Sequence, residues 1–86
     1  MIEGTLKNGF KFQISENTFD DFEIVELFAK VSKNPIYLGD LMERWLGTEQ
    51  KKALCESLRR DDGKVHTSDV FGALKEIEDA LPAVKN

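Results

Sequence analysis

The sequence predicts an α+β fold in which an N-terminal β-hairpin precedes four short α-helices. Apolar residues alternate with polar ones on both sides of an Asn-Gly turn signal near the start, and later they recur at the spacing of amphipathic helices. The chain of 86 residues is long enough for one domain, which we expect to span residues 1–86. The hairpin is expected at residues 2–14 and the helices at 19–33, 36–46, 49–60 and 68–81.

The register of the hairpin follows from matching its apolar faces. A two-residue loop at Asn8-Gly9 would set the apolar residues of one strand against the polar residues of the other. A three-residue loop at 7–9 aligns the apolar residues on one face, with the pairs Ile2–Ile14, Gly4–Phe12 and Leu6–Phe10. Because a slip of one residue turns every side chain to the opposite face, the second register is predicted, with Gly9 left-handed at a bulge.

The first two helices are bounded by capping and breaking residues. Thr18 is expected to cap the first helix, with Asp21 three residues later in an arrangement like a capping box. Asn34-Pro35 should stop this helix, and Gly47 should end the second one. The second helix carries one apolar stripe, formed by Leu38, Leu41, Met42, Trp45 and Leu46.

The last two helices are separated by a turn signal, Asp61-Asp62-Gly63. Thr48 is expected to cap the third helix, and Thr67 or Ser68 the fourth, which should end near Pro82. The third helix has a narrow apolar face, Leu54, Cys55 and Leu58. The fourth has a longer one, with Val70, Phe71, Leu74, Ile77 and Leu81.

Composition narrows the class of partner. There are 12 basic and 16 acidic residues, a formal net charge of −4, which disfavours general binding to nucleic acid or to an anionic membrane. One cysteine allows no internal disulfide, and there is no signal-peptide pattern and no apolar run long enough to span a membrane. We therefore expect a protein of the reducing cytoplasm that is not secreted.

Residue types that carry chemistry are few. Aligning Gly63 with the central glycine of a calcium loop would put Leu58 and Arg60 at positions that need oxygen ligands, so a cap-and-turn is the favoured interpretation. His66 is the only histidine, and we expect it to be a solvated loop residue. Cys55 is expected to be a small core residue. We predict no catalytic residue, no cofactor and no metal site, and hence no enzyme.

The third helix also fits the outline of a helix-turn-helix reader, since it follows a turn at 46–48 and carries Lys51, Lys52, Arg59 and Arg60. Glu43, however, stands where close approach of the two helices needs a small residue, and Glu56 interrupts the basic stripe. A solvated helix face of mixed charge is the favoured interpretation.

The first helix is the most informative surface, because its apolar residues cover an arc of about 220° whereas packing on one core needs little more than 100°. This arc allows two interpretations that are compatible. The helix is sandwiched between the hairpin and the other helices, or part of the arc accepts the helix of a partner. The candidate partner-binding residues are Ile24, Leu27, Phe28, Val31 and Phe71.

Several short segments follow one another in a characteristic order. They are the hairpin end Asn8-Gly9-Phe10, the acidic helix start at 20–23 with Glu26-Leu27, Leu46-Gly47 with Glu49-Gln50, the run LRRDDGKV at 58–65, and the ending Lys85-Asn86. In this order and spacing, over nearly the whole chain, they resemble the tail assembly chaperones of long-tailed bacteriophages (siphophages) and prophages.

The resemblance implies a non-enzymatic helical chaperone that binds the hydrophobic tape measure protein in the bacterial host cytoplasm before the tail tube polymerises. It also implies a longer form, made by programmed frameshifting, that recruits the major tail protein. Val84-Lys85-Asn86 can be encoded as GUA-AAA-AAC, which contains the slippery heptamer A-AAA-AAC. Self-association is compatible with this function. The alternatives are a small protein–protein adaptor and a helix-turn-helix-like DNA-binding regulator.

Overall fold

The structure, a computed structural model, describes residues 1–81. Two strands, β1 (Ile2–Thr5) and β2 (Lys11–Ile14), are followed by four helices, α1 (Phe22–Lys33), α2 (Leu38–Leu46), α3 (Thr48–Leu58) and α4 (Thr67–Asp79). Short 3-10 turns, Thr18–Asp20 and Pro35–Tyr37, precede α1 and α2. The predicted α+β architecture is confirmed. Pro82 and the residues of the predicted slip sequence, 84–86, lie outside the described residues.

The hairpin forms in the register that its apolar pattern predicts. β1 and β2 pair antiparallel, with Ile2 opposite Ile14 and Gly4 opposite Phe12. A Cβ atom on Gly4 would lie 2.5 Å from the Phe12 ring. The ring can therefore cover β1 only because position 4 has no side chain.

The turn of the hairpin also has the predicted form. The Leu6 N–H donates to the Phe10 carbonyl at 2.8 Å, and the Gly9 N–H donates to the Leu6 carbonyl at 2.9 Å. Gly9 has a φ of 92°, in the left-handed region that side chains with a Cβ rarely adopt. The Asn8 side chain accepts the Phe10 N–H at 2.9 Å, which holds the bulge in place.

The outer edge of β2 is closed by a side chain. The Gln13 N–H donates to Gln50 Oε1 at 2.8 Å, and Gln50 Nε2 donates back to the Gln13 carbonyl at 2.8 Å. The same nitrogen donates to the Leu46 carbonyl at 2.9 Å. This carboxamide replaces a neighbouring strand and anchors the hairpin to the corner between α2 and α3.

The expectation that Thr18 caps the first helix is wrong. Thr18 is buried in the turn Thr18–Asp20, where its hydroxyl accepts the indole N–H of Trp45 at 3.2 Å. The cap of α1 is Asp21, whose carboxylate accepts the Glu23 N–H at 3.0 Å. The helix therefore starts three residues later than predicted, because a tertiary partner engages the hydroxyl that local sequence assigned to the helix end.

The connection from α1 to α2 follows the prediction closely. α1 ends at Lys33, and Asn34 caps the 3-10 turn Pro35–Tyr37 by accepting the Ile36 N–H at 3.1 Å. Because this turn comes first, α2 begins two residues later than predicted. α2 ends at Leu46, and Gly47, with a φ of 84°, occupies its C-cap position, as the place of this glycine after the apolar stripe predicts.

Thr48 does not cap α3, contrary to expectation. It is the first residue of the helix, its hydroxyl donates to the Glu43 carboxylate, and Gly47 occupies the cap position. The helix ends at Leu58, two residues earlier than predicted, so Arg59 and Arg60 belong to the following loop.

The loop between α3 and α4 breaks at the predicted turn. The Arg60 N–H donates to the Lys64 carbonyl and the Gly63 N–H to the Arg60 carbonyl, both at 2.9 Å, and Gly63 has a φ of 81°. Arg60 also binds both carboxylate oxygens of Asp69 at 2.8 Å, which ties the loop to α4. Neither Thr67 nor Ser68 caps α4, since the cap position is residue 66.

The core lies between the hairpin and the helices, with α2 at its centre. All five residues of the α2 stripe are buried, and α2 packs on α1, α3 and β2. Leu54 of α3 and Ile77 of α4 are fully enclosed, at 0% exposure. Cys55 and Leu58 are partly buried against this core, as their positions on the narrow face of α3 predict.

Candidate functional site

The five predicted partner-binding residues differ in accessibility. Ile24 and Val31 face the core and are 6% and 9% exposed. Leu27 and Phe28 are partly buried, and Phe71 of α4 is 40% exposed. Three of the five, Phe28, Val31 and Phe71, line one groove, whereas Ile24 and Leu27 are not among its lining residues.

This groove, the α1–α4 groove, has a volume of about 210 Å³. Its apolar lining consists of Phe28, Val31, Leu38, Leu41, Phe71 and Leu74, and its polar rim of Ser32, Lys75 and Glu78. The α4 residues at 71, 74, 75 and 78 lie three, one and three positions apart, so they share one helix face. α1 and α4 form the walls, and the buried start of α2 forms the floor.

Aromatic packing holds the α1 wall of the groove. The Phe28 ring meets the Trp45 ring edge-on at a centroid distance of 5.2 Å and the Phe19 ring at 5.5 Å. Trp45 is in turn held by its hydrogen bond to Thr18. These contacts restrict the orientation of the Phe28 ring. The ring is therefore already held in place before a partner binds.

The size and lining of the groove suit apolar side chains of another protein. Its volume is below the roughly 300–1,000 Å³ typical of pockets for small molecules. Within residues 1–81, the groove is lined by no histidine, no cysteine and no pair of carboxylates, the groups from which acid–base or nucleophilic sites are usually built. One or two large apolar side chains from a partner helix would fill it.

Two other depressions have more than twice the volume of the α1–α4 groove and are bordered by charged side chains. One, of about 530 Å³, lies over the outer face of the hairpin and is lined by Glu3, Gly4, Thr5, Lys11, Phe12, Gln13 and Gln50. The other, of about 470 Å³, runs along α2 and α3 and is lined by Glu43, Thr48, Lys51, Lys52, Cys55, Glu56 and Arg59. Charged side chains border both depressions, and amide side chains border the first, so volume alone does not single out the α1–α4 groove.

Carboxylates lie among the basic residues of α3 and its following loop. Lys51 Nζ lies 3.3 Å from Glu43, and Arg59 lies 2.7 Å from Glu56. The Thr48 hydroxyl and then Lys51 hold the pKa of the Glu43 carboxyl below its ordinary value. Arg59 lowers the pKa of Glu56 in the same way. A phosphate at this face would have to compete with these ion pairs.

The remaining chemistry-bearing residues are dispersed. His66 Nε2 lies 2.7 Å from Asp62 Oδ2, so this histidine is a paired loop residue of intermediate exposure. The Lys64 N–H and then His66 lower the pKa of Asp62. Among residues 1–81, no three His, Cys, Asp or Glu side chains are placed to hold a metal ion. No helix in the same part of the chain combines the length and apolar character of a membrane span.

Sequence reasoning identified both aromatic walls of the groove but missed its floor and rim. The sequence places Leu38, Leu41 and Leu74 on the apolar stripes of α2 and α4 without indicating that they line a groove. The polar rim on α4 could have been predicted, since Lys75 and Glu78 lie beside the apolar stripe of that helix in the sequence. The pairing of that stripe with α1 depends on long-range packing, which no local pattern encodes.

Comparison with known proteins identifies no relative: no family profile, no curated protein sequence and no solved structure matches this chain.

Proposed function

We propose that this chain is a tail assembly chaperone of a long-tailed bacteriophage or prophage, which binds an apolar helical segment of the tape measure protein. The observation that carries the proposal is the α1–α4 groove, where Phe28 and Phe71 present aromatic surface at a site without catalytic groups. The resemblance in segment order and spacing supports the choice of partner. The proposed activity is protein binding, not catalysis, in the cytoplasm of the bacterial host.

Binding would follow the helix-in-groove mode. An amphipathic helix presents apolar residues at i, i+3, i+4 and i+7, and one or two of them would enter between Phe28 and Phe71. Because Phe71 is already 40% exposed, binding gains apolar burial without opening the core. Lys75 and Glu78 on the rim would orient the partner through polar contacts.

The same domain would serve in two products. The short form coats the tape measure protein, and a longer form, produced by a −1 slip on the codons of residues 84–86, recruits the major tail protein. In this proposal neither nucleic acid nor a membrane is a partner. The nucleotide sequence of the gene tests whether the longer form exists. Codons AAG-AAU at 85–86, or the lack of an overlapping open frame in the −1 register, would contradict it.

Co-purification with segments of the tape measure protein encoded by the same phage or prophage tests the main proposal. We expect wild-type chain to retain an apolar helical segment, and Phe71→Asp to lose it while keeping its helical circular dichroism. Ile36→Asp is the matched control, because Ile36 is 77% exposed and lies outside the groove. Failure of wild-type chain to retain any segment, or equal loss in both variants, would contradict the proposal.

The DNA-binding alternative has its own test. We expect elution from heparin below about 0.3 M salt and no sequence-specific gel shift, because the net charge is −4 and carboxylates pair with Lys51 and Arg59. Retention above that salt concentration would favour a regulator in place of a chaperone.

A further inference from the structure

One row of side chains on helix α1 runs from solvent into the α1–α4 groove. Phe22, Val25, Phe28 and Val31 are spaced three residues apart and are therefore neighbours along the helix surface. Their exposure falls in that order, from 71% and 39% at the first two to a partly buried Phe28 and 9% at Val31. Phe28 and Val31 line the groove. The groove is therefore the inner end of a longer apolar surface, which we name the α1 ridge.

The next row of α1, beside this ridge, contains small side chains. Ala29 and Ser32 lie three residues apart in that row, and both are exposed. The Ser32 hydroxyl donates to the Ala29 carbonyl at 2.7 Å, so its hydrogen bond is made within the helix and is kept when an apolar surface covers it. A row of large side chains beside small ones forms a shallow channel, into which the ridge of another helix packs.

The groove alone is too small for the apolar face of a partner helix. Its volume of about 210 Å³ accepts one or two large side chains, whereas an amphipathic helix presents apolar residues at i, i+3, i+4 and i+7. The residues that do not enter the groove need another apolar surface. The α1 ridge is continuous with the groove and partly exposed. From Phe22 to Ser32, α1 rises about 15 Å, the length of a partner helix of about ten residues.

The exposed end of the ridge carries an unpaired carboxylate. Glu26 follows Phe22 by four residues, so it lies beside that ring, and it is exposed. Within residues 1–81, Glu26 takes part in no ion pair. Lys30, one turn further along α1, lies over the Tyr37 ring, with its Nζ 5.4 Å from the ring centroid. A basic residue of the partner would therefore be complementary to this end of the ridge.

We propose that the partner helix bound in the α1–α4 groove also lies along the α1 ridge and reaches Phe22, and that it carries a lysine or arginine where it passes Glu26. This inference rests on the proposed function, since its occupant is the tape measure segment that enters the groove. It adds the chemistry of that segment, which is an amphipathic helix of about three turns or more with a basic residue beside its apolar face.

Titration of the chain with the tape measure segment that wild type retains tests the inference, with calorimetry as the measurement. Phe22→Gln should raise the dissociation constant about tenfold or more, because it removes the most exposed apolar contact of the ridge. Ala29→Gln should raise it several-fold, because the longer side chain holds the partner helix away. Ile36→Gln is the matched control and should bind like wild type, although Ile36 is 77% exposed.

Charge exchange tests the basic residue of the partner. Glu26→Lys should weaken binding at low salt. A segment in which one basic residue is replaced by glutamate should bind Glu26→Lys more tightly than it binds wild type. High salt should reduce both differences, since exposed charges are screened. If Glu26→Lys binds every such segment as wild type does, the proposed contact with Glu26 is overturned.

Phe71→Asp separates this inference from the proposed function. If Phe71→Asp abolishes binding while Phe22→Gln binds like wild type, the partner stays within the groove, and the inference is wrong although the proposed function stands. If Phe22→Gln loses the segment while Phe71→Asp retains it, the partner does not enter the groove, and both are contradicted. Circular dichroism of each variant shows that the loss of binding is not a loss of fold.

Discussion

Helices α1 and α2 lie side by side and use their apolar residues in different ways. In α2, which has nine residues, all five stripe residues are buried, whereas in the twelve residues of α1 only Ile24 and Val31 reach that state. α2 packs on α1, α3 and β2, but α1 packs mainly on α2 and the two 3-10 turns. The apolar residues of the α2 stripe therefore belong to the core, whereas those of α1 outside Ile24 and Val31 stay exposed or partly buried.

Truncation in the two helices should give the largest contrast. Trp45→Ala should lower the free energy of unfolding by about 3–5 kcal/mol, because Trp45 is 7% exposed and supports Phe28. Phe22→Ala should change it by no more than about 0.5 kcal/mol, because that ring is 71% exposed. Chemical denaturation of both variants measures the difference, and equal midpoints with equal slopes would refute the division between the helices.

A smaller loss of stability is expected when the hydrogen bond between Trp45 of α2 and Thr18, in the 3-10 turn before α1, is removed. Thr18→Val should cost about 1–3 kcal/mol, since the buried indole N–H of Trp45 loses its acceptor. Thr18→Ser keeps the hydroxyl and is the matched control. If Thr18→Val is as stable as Thr18→Ser, the hydrogen bond does not contribute to the stability of the fold. If Thr18→Val also weakens partner binding, the bond contributes to the shape of the groove.

The smallest effect concerns the ion pair that joins the start of α1 to α2. Arg44 Nε lies 3.0 Å from Asp21 and lowers the pKa of that carboxyl from its ordinary value of 3.8. A carboxyl with a depressed folded-state pKa stabilises the protein above its unfolded pKa, and this contribution is lost as the pH falls through the folded value. Wild type should therefore lose part of its stability below a pH of about 4.

Asp21→Asn isolates this contribution, because asparagine can still cap a helix but carries no charge. The stability difference between wild type and Asp21→Asn should be present at neutral pH and shrink as the pH falls below the ordinary pKa of 3.8. Asp20→Asn, one residue earlier, serves as the control for a change in net charge. A difference that stays constant down to the lowest pH would show that the ion pair does not contribute.

Turns, strand register and the fully buried helix could be read from local chemistry. Gly9 and Gly47 stand where the backbone requires a positive φ, and the pattern around them needs no distant partner to be interpreted. The hairpin register followed from the period of two in strands, and the α2 stripe from the period of 3.6 in helices. These features depend on residues that are near in sequence, so the sequence alone was sufficient.

The helix starts and the groove required contacts between distant residues. Thr18 and Thr48 have the side chain of a good cap, yet one binds Trp45 and the other Glu43. Phe28 and Phe71 belong to helices at opposite ends of the helical region, so their meeting across a groove is a result of packing on α2. The wide apolar arc of α1 was visible from the sequence, but not which part of it would be buried.

The class of the fold, the hairpin register and the apolar surplus of α1 are therefore predictable from local sequence. Those properties arise from backbone periodicity and from residues that restrict φ, which act over a few positions. Long-range packing, in contrast, buries Ile24 and Val31 in the core, brings Phe28 and Phe71 to one groove and leaves Phe22 exposed. A helix buries only the side against which its neighbours pack, and α1 packs mainly on α2 and the two 3-10 turns.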